Sequence, residues 1–132
     1  MKKGNETKDK KVIMLVDDNP DLLYSVKKGL ESFGDYEVVT VESGRKCLQL
    51  LKGIKPHLVL LDIMMPGMDG WDVCAKIKGD KKTEDIPIVF LTAKTDPISK
   101  SMGQLASADY ITKPFDMKIL KRRIDSVIKP KK

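Results

Sequence analysis

Acidic, hydroxyl and basic residues recur at four places along the chain, each directly after a short apolar run. Asp17 and Asp18 follow residues 12–16, Asp62 follows 58–61, Thr92 follows Phe90-Leu91, and Thr112-Lys113-Pro114 follow Tyr110-Ile111. Set on neighbouring strands, the three carboxylates share one edge and repel. Two unit charges about 4 Å apart cost roughly 4 kcal/mol at an effective dielectric of about 20, and such crowding raises the acids' own pKa values. A hard divalent cation removes the conflict, and an all-oxygen donor set favours Mg2+ over Zn2+ or Cu2+. Lys113 supplies one further positive charge. Acids, a cation, a lysine and a hydroxyl together are equipped to hold a phosphoryl group. One acid after a strand is ordinarily a loop residue or a helix cap. Four such features at four strand ends are not accounted for in that way.

The elements that must position these residues alternate. Runs at 12–16, 36–41, 58–61, 86–91 and 110–111 read as buried strands. Helical stripes lie between and after them. Leu22, Leu23, Val26, Leu30 and Phe33 form the first, Cys47, Leu48, Leu51 and Ile54 the second, and Trp71, Cys74 and Ile77 the third. Ile98, Met102 and Leu105 form the fourth, and Ile119, Leu120, Ile124, Val127 and Ile128 the last. Asn19-Pro20 and Asp96-Pro97 read as an N-cap with proline at the first helical position, and Ser43 and Asp69 as further caps. Gly34 and Gly53 stand where a left-handed residue ends a helix cheaply. Five β-α units with strands apolar on both faces predict an α/β fold, a parallel sheet covered by helices on both sides. In such a sheet, ligands bind beyond the carboxyl ends of the strands, where the four features fall.

Composition narrows the classes. The chain has 132 residues, 41% hydrophobic and 33% charged, as in an ordinary globular domain. Its longest apolar run, 12–16, is far too short for a membrane span, and no signal peptide is visible. Cys47 and Cys74 lie far apart with no second ligand pair, which excludes a zinc ribbon and fits a reducing, cytoplasmic setting. The net charge of +6 is terminal: residues 1–11 carry +3, 118–132 carry +6 and 12–117 carry −3. Residues 1–10 read as a flexible leader, 11–128 as the domain and 129–132 as a solvated basic tail.

Four blocks, with their spacing, carry a resemblance. They are Val12-Ile13-Met14-Leu15-Val16-Asp17-Asp18, Leu58-Val59-Leu60-Leu61-Asp62-Ile63-Met64-Met65-Pro66-Gly67-Met68-Asp69-Gly70, Leu91-Thr92-Ala93 and Tyr110-Ile111-Thr112-Lys113-Pro114-Phe115. Together they resemble the receiver domain of two-component response regulators, of the chemotaxis-Y kind, over roughly residues 10–128. The resemblance implies a three-layer, doubly wound, flavodoxin-like sheet of five parallel strands in order 2-1-3-4-5 with five helices. It implies that Asp62 is the phosphoacceptor, taking a phosphoryl group from the phosphohistidine of a sensor histidine kinase or phosphotransfer protein. It implies Mg2+ held by Asp18, Asp62 and the main-chain carbonyl of Met64, with Asp17 acting through metal-bound water. Lys113 pairs with Asp62 and then with a phosphoryl oxygen, and Thr92 gives its hydroxyl to the phosphoryl group. Tyr110 matches the switch aromatic, Met64 and Lys94 stand where the family tunes phosphoryl lifetime, and the bond before Pro114 is expected to be cis. Where the family often has Gly-Ala-Asp before the last strand, this chain has Ala106-Ser107-Ala108-Asp109.

The function so implied is a phosphorylation-driven switch, not a turnover enzyme. Its output is a protein contact on the face of the fourth helix, fifth strand and fifth helix, made by a monomer or a weak phosphorylation-dependent dimer. Other classes fit less well. An aspartate-nucleophile phosphatase needs a second acid two residues after the nucleophile, where this chain has Met64. A nucleotide module needs a glycine-rich loop after the first strand, where Asp17-Asp18-Asn19-Pro20 stand. Direct DNA binding is not expected, since only Lys129-Pro130-Lys131-Lys132 follow the last helix. The chain reads as a single-domain regulator, with a receiver cut from a longer regulator or hybrid kinase as the alternative. His57 precedes the third strand and reads as a surface residue. Lys121-Arg122-Arg123 reads as the solvated side of the last helix.

Overall fold

Short runs of branched and aliphatic residues form the strands. β1 spans Lys11–Val16, β2 Tyr36–Val41, β3 Leu58–Asp62, β4 Ile88–Ala93 and β5 Asp109–Lys113. The computed structural model describes residues 10–93 and 109–128. The Asp96-Pro97 cap, the stripe of Ile98, Met102 and Leu105, the Ala106-Ser107-Ala108 stretch, residues 1–9 and residues 129–132 lie outside the described residues. All strands pair in parallel, in the order β2-β1-β3-β4-β5. Every residue of β3, and every residue of β4 except Ala93, is buried, as befits strands covered on both faces. Val16 lies opposite Val41 and Leu61, Asp62 opposite Leu91, Thr92 opposite Thr112 and Ala93 opposite Lys113. The register therefore brings the four strand ends out at one edge.

Four described helices flank the sheet: α1 Pro20–Glu31, α2 Gly44–Leu50, α3 Gly70–Lys78 and α4 Met117–Ile128. The Asn19 side chain accepts from the amides of Asp21 and Leu22, and Pro20 opens α1. The Ser43 hydroxyl accepts from the Lys46 amide at the start of α2. Asp69 and Asp72 cap α3 reciprocally, each carboxylate accepting from the other's backbone N–H. Alternate strand residues divide the core in two. Ile13, Leu15, Leu60 and Leu91 pack with Leu30, Leu120 and Ile124 under α1 and α4. Met14, Val16, Leu61 and Phe90 pack with Cys47, Val73 and Ile77 under α2 and α3. Both cysteines are buried and form no disulfide among the described residues, and Trp71 packs its ring 4.7 Å from that of Phe90. None of the described helices is long and apolar enough to cross a membrane.

Three local features differ from the sequence reading. Gly34 has φ 90°, but Gly53 is not left-handed. α2 instead ends at Leu50 and closes through tight bonds from Lys52 N to Gln49 O (3.2 Å) and Gly53 N to Leu50 O (3.0 Å), so no positive φ is needed and Ile54 lies beyond the helix. β4 starts at Ile88 rather than Ile86, because Ile86 N–H is spent on a turn to Thr83 O (3.0 Å). Phe33 lies past the end of α1 and is partly exposed, with the Lys121 ammonium 5.5 Å from its ring centre.

Both edge strands carry side-chain caps. On β2, the Val38 N–H donates to Glu31 Oε2 (2.9 Å) and Lys27 Nζ donates to the Val38 carbonyl (2.7 Å). On β5, Arg123 Nη2 donates to the Tyr110 carbonyl (2.9 Å).

Candidate functional site

Asp17 leaves β1 with its N–H on the Val41 carbonyl (3.0 Å), which fixes the backbone at the sheet edge. Its Oδ1 accepts from the Asn19 amide (3.0 Å) and its Oδ2 from Lys113 Nζ (3.0 Å). The same ammonium donates to Asp62 Oδ1 at 3.3 Å. Asp17 is 1% and Asp62 5% exposed, whereas Asp18 faces solvent. One carboxylate oxygen from each of Asp17, Asp18 and Asp62 lies within 4.8 Å of the others. Three acids thus share one lysine.

Electrostatics follow from that count. Burial, then the Asp17 charge, push the Asp62 carboxyl up to about 6; Lys113 opposes them and Asp18 adds to them. Burial pulls the Lys113 ammonium down, but its bond to Asp17 and the charges of Asp17 and Asp62 outweigh this and hold it above its ordinary value. The donor set is all carboxylate oxygen, has an exposed side at Asp18 and is short of positive charge. A hard divalent cation fits it.

Gly70 sets the loop after β3. Its N–H donates to the Ile63 carbonyl (2.7 Å), and a Cβ there would strike the Asp62 carbonyl and Ile63 Cα. The start of α3 can therefore press against the strand end that carries Asp62 only with glycine at this position. Gly67, at φ 79°, turns the same loop. Met64, two residues beyond Asp62, is 54% exposed beside the site. Thr92 is 1% exposed on β4, next to the strand that carries Asp62. The Lys113–Pro114 peptide bond is cis. The Tyr110 ring stacks 6.1 Å from Phe90, and its hydroxyl is buried with no hydrogen-bond partner among the described residues. Lys94 lies outside the described residues.

Away from this edge, two sequence readings change. Lys121 and Arg123 are not merely solvated. Arg123 grips Asp109 with Nε and Nη2, both at 2.6 Å, and Lys121 bonds Asp125 (2.8 Å) and Asp35 (3.2 Å). Helical spacing placed these cations on the polar side of α4, but their acid partners come from the β5 start, the turn before β2 and the next turn of α4. His57 is exposed at the opposite end of the sheet, and its Nδ1 accepts the Val12 N–H (2.9 Å), a link between strands that the sequence did not disclose. Gly67 and Gly70 were likewise missed as positioning residues; their signal was the close run Pro66-Gly67-Met68-Asp69-Gly70.

Solved structures share this arrangement of strands and helices. A CheY-like response regulator receiver domain protein of Methanospirillum hungatei is 40% identical, with a TM-score of 0.77, over 89% of this chain and 93% of its own. The receiver domain of a sensor histidine kinase of Pseudomonas aeruginosa, solved with a magnesium ion in its active-site cleft, is 27% identical with a TM-score of 0.83, over 92% of this chain and 99% of its own. A probable cyclic di-GMP phosphodiesterase of Vibrio cholerae is 37% identical over 121 residues, 91% of this chain and 27% of its own length. Other curated relatives are also longer, the chain spanning between 9% and 51% of them. The family model described as the response regulator receiver domain matches residues 13–125, and the chain belongs to that family.

Proposed function

We propose that this receiver domain accepts a phosphoryl group on Asp62 and passes the event to a protein partner. The observation that supports it most is the placing of Asp62: nearly buried, hydrogen-bonded to Lys113, and crowded by Asp17 and Asp18. Asp18, Asp62 and the main-chain carbonyl of Met64 would hold Mg2+, with Asp17 reaching it through water. When bound, that ion supplies charge neutralisation at the acids and a Lewis-acid contact for phosphoryl oxygens. The rest falls to the chain. A carboxylate oxygen of Asp62 bonds to phosphorus as the P–N bond to the donor histidine breaks, and the imidazole leaves with the electron pair and takes up a proton. Lys113 moves from Asp62 Oδ1 to a phosphoryl oxygen, and the Thr92 hydroxyl donates to another. Tyr110, on the strand beside Thr92, then settles with the inward state, changing the surface of β5 and the helices beside it.

The donor is a sensor histidine kinase or phosphotransfer protein, the setting cytoplasmic, and the output a protein contact rather than turnover of a substrate. Residues 11–128 act as the receiver domain, whether it stands alone or, as the longer relatives support, within a larger regulator or hybrid kinase. Beryllofluoride, a phosphoryl mimic, tests the reading. Binding is expected only with Mg2+, with NMR shifts concentrated at residues 92–118, and is expected to vanish in Asp62→Ala. Equal binding by that variant rejects the assignment.

A further inference from the structure

The seam between α2 and α3 lies across the sheet from α1 and α4 and plays no part in the reading above. Two concavities run along it. One, about 530 Å³, sits where both helices end and is floored by Leu48, Leu51 and Ile77. The other, about 480 Å³, lies beside Gly67 and Met68, and Lys76 lines both. A volume of this size suits a few inserted side chains.

Its rim is basic. Arg45, Lys52, Lys76 and Lys82 border the seam and are exposed. Among the described residues, no carboxylate forms an ion pair with any of them. The two acids on the seam are turned to backbone amides: Asp72 Oδ2 accepts from Asp69 N–H (3.3 Å) and Asp80 Oδ1 from Lys82 N–H (2.9 Å). The Thr83 hydroxyl is spent on the Ile77 carbonyl (2.7 Å). The groove thus has a floor of partly exposed Leu48 and Leu51 over the buried Ile77, rimmed by four cations that no carboxylate among the described residues pairs, on a chain whose residues 12–117 carry a net −3.

We propose that this seam docks an acidic amphipathic segment of a partner protein. Its apolar side chains seat on Leu48 and Leu51, above the buried Ile77, and its carboxylates meet Lys52, Lys76 and Lys82. The groove between two helices matches the helix-in-groove mode, in which a stripe of apolar anchors supplies affinity. Flexible lysines at the rim supply attraction over distance and orientation. A single-stranded nucleic acid would want aromatic surfaces on which to stack its bases, and no aromatic side chain lines either concavity.

The test is an NMR titration of the ¹⁵N-labelled full chain with a synthetic peptide of about 14 residues, leucines at helical spacing and glutamates elsewhere. Saturable shifts are expected at residues 48–52 and 76–83. Affinity should fall at least about fivefold in K52Q/K76Q/K82Q and stay unchanged in Asp62→Ala, which separates this proposal from the phosphoacceptor reading. The proposal is overturned by an absence of saturable shifts there, by unaltered affinity in the triple variant, or by equal binding of a peptide with the same composition and scrambled leucines. Tighter binding of a thymidine oligonucleotide at the same amides overturns it in favour of a nucleic-acid surface.

Discussion

The two ends of β5 handle charge in opposite ways. At its start, Asp109 meets Arg123 one to one through two parallel bonds, and the guanidinium holds the carboxyl below its ordinary value against the opposing effect of burial. At its end, Lys113 bonds two carboxylates while a third stands close by, and Asp62 is pushed up to about 6, by burial and then by the Asp17 charge. Matched numbers anchor a strand. Mismatched numbers leave a site that gains by recruiting a cation, and the same residue types serve both purposes about 13 Å of strand apart, at about 3.3 Å per residue.

Removing the lysine from the mismatched end should have the largest effect. Lys113→Met leaves the buried Asp17 without its cation, and urea denaturation without divalent ions should show a loss of about 3 kcal/mol. A loss no larger than that of an exposed lysine would mean the two ends differ less than their geometry says. Asp62→Asn should do the reverse, stabilising the divalent-free protein by about 2 kcal/mol at pH 7. The sign follows from a folded pKa above the unfolded one. The unfolded chain gives up its proton first, so the native protein pays for ionising Asp62 as pH rises from its ordinary value near 3.8 through about 6. The gain of the variant should therefore be absent below pH 4 and complete above pH 6, and a gain independent of pH would contradict it.

At the matched end, Arg123→Met should cost about 1 kcal/mol at pH 7, a figure already reduced for screening because the guanidinium is partly exposed. Asp109 has a lowered folded pKa, so this contribution is present above the ordinary carboxylate value and lost as pH falls through the folded one. Denaturation curves at pH 7 and pH 3 check this: the gap between wild type and variant should narrow at the lower pH. The last expected effect, of similar size, alters no charge. Met64 is a weak acceptor that orients water poorly beside Asp62, so Met64→Asn should speed decay of the phosphorylated protein several-fold, a barrier change of about 1 kcal/mol. Unchanged or slower decay would remove Met64 from the control of lifetime.

Much of this was legible in the sequence because it repeats. Four apolar runs ending in reactive side chains announce a parallel sheet and point to its carboxyl edge, and the gathering of Asp17, Asp18, Asp62 and Lys113 there follows from the strand order that the resemblance implied. What stayed hidden depends on how elements pack. The partner of Arg123 is set by how α4 lies along β5, which helical periodicity does not encode. The cap of Glu31 on Val38 needs the exact overhang of α1 across β2. The end of α2 at Leu50 was misjudged because tight backbone bonds did the work assigned to a left-handed Gly53. Gly70 carries its meaning only through the Asp62 and Ile63 backbone pressed against it.

The caps on the outer strands have a further consequence. At Val38 and Tyr110, main-chain groups that would otherwise recruit a passing strand are already taken by Glu31, Lys27 and Arg123. At those positions the sheet offers no template for cross-β growth between molecules. Contacts with other chains are thereby left to helix faces and loops. Such contacts form and dissolve without unzipping a ladder of backbone bonds, and a signalling protein that must let go of its partners benefits from that.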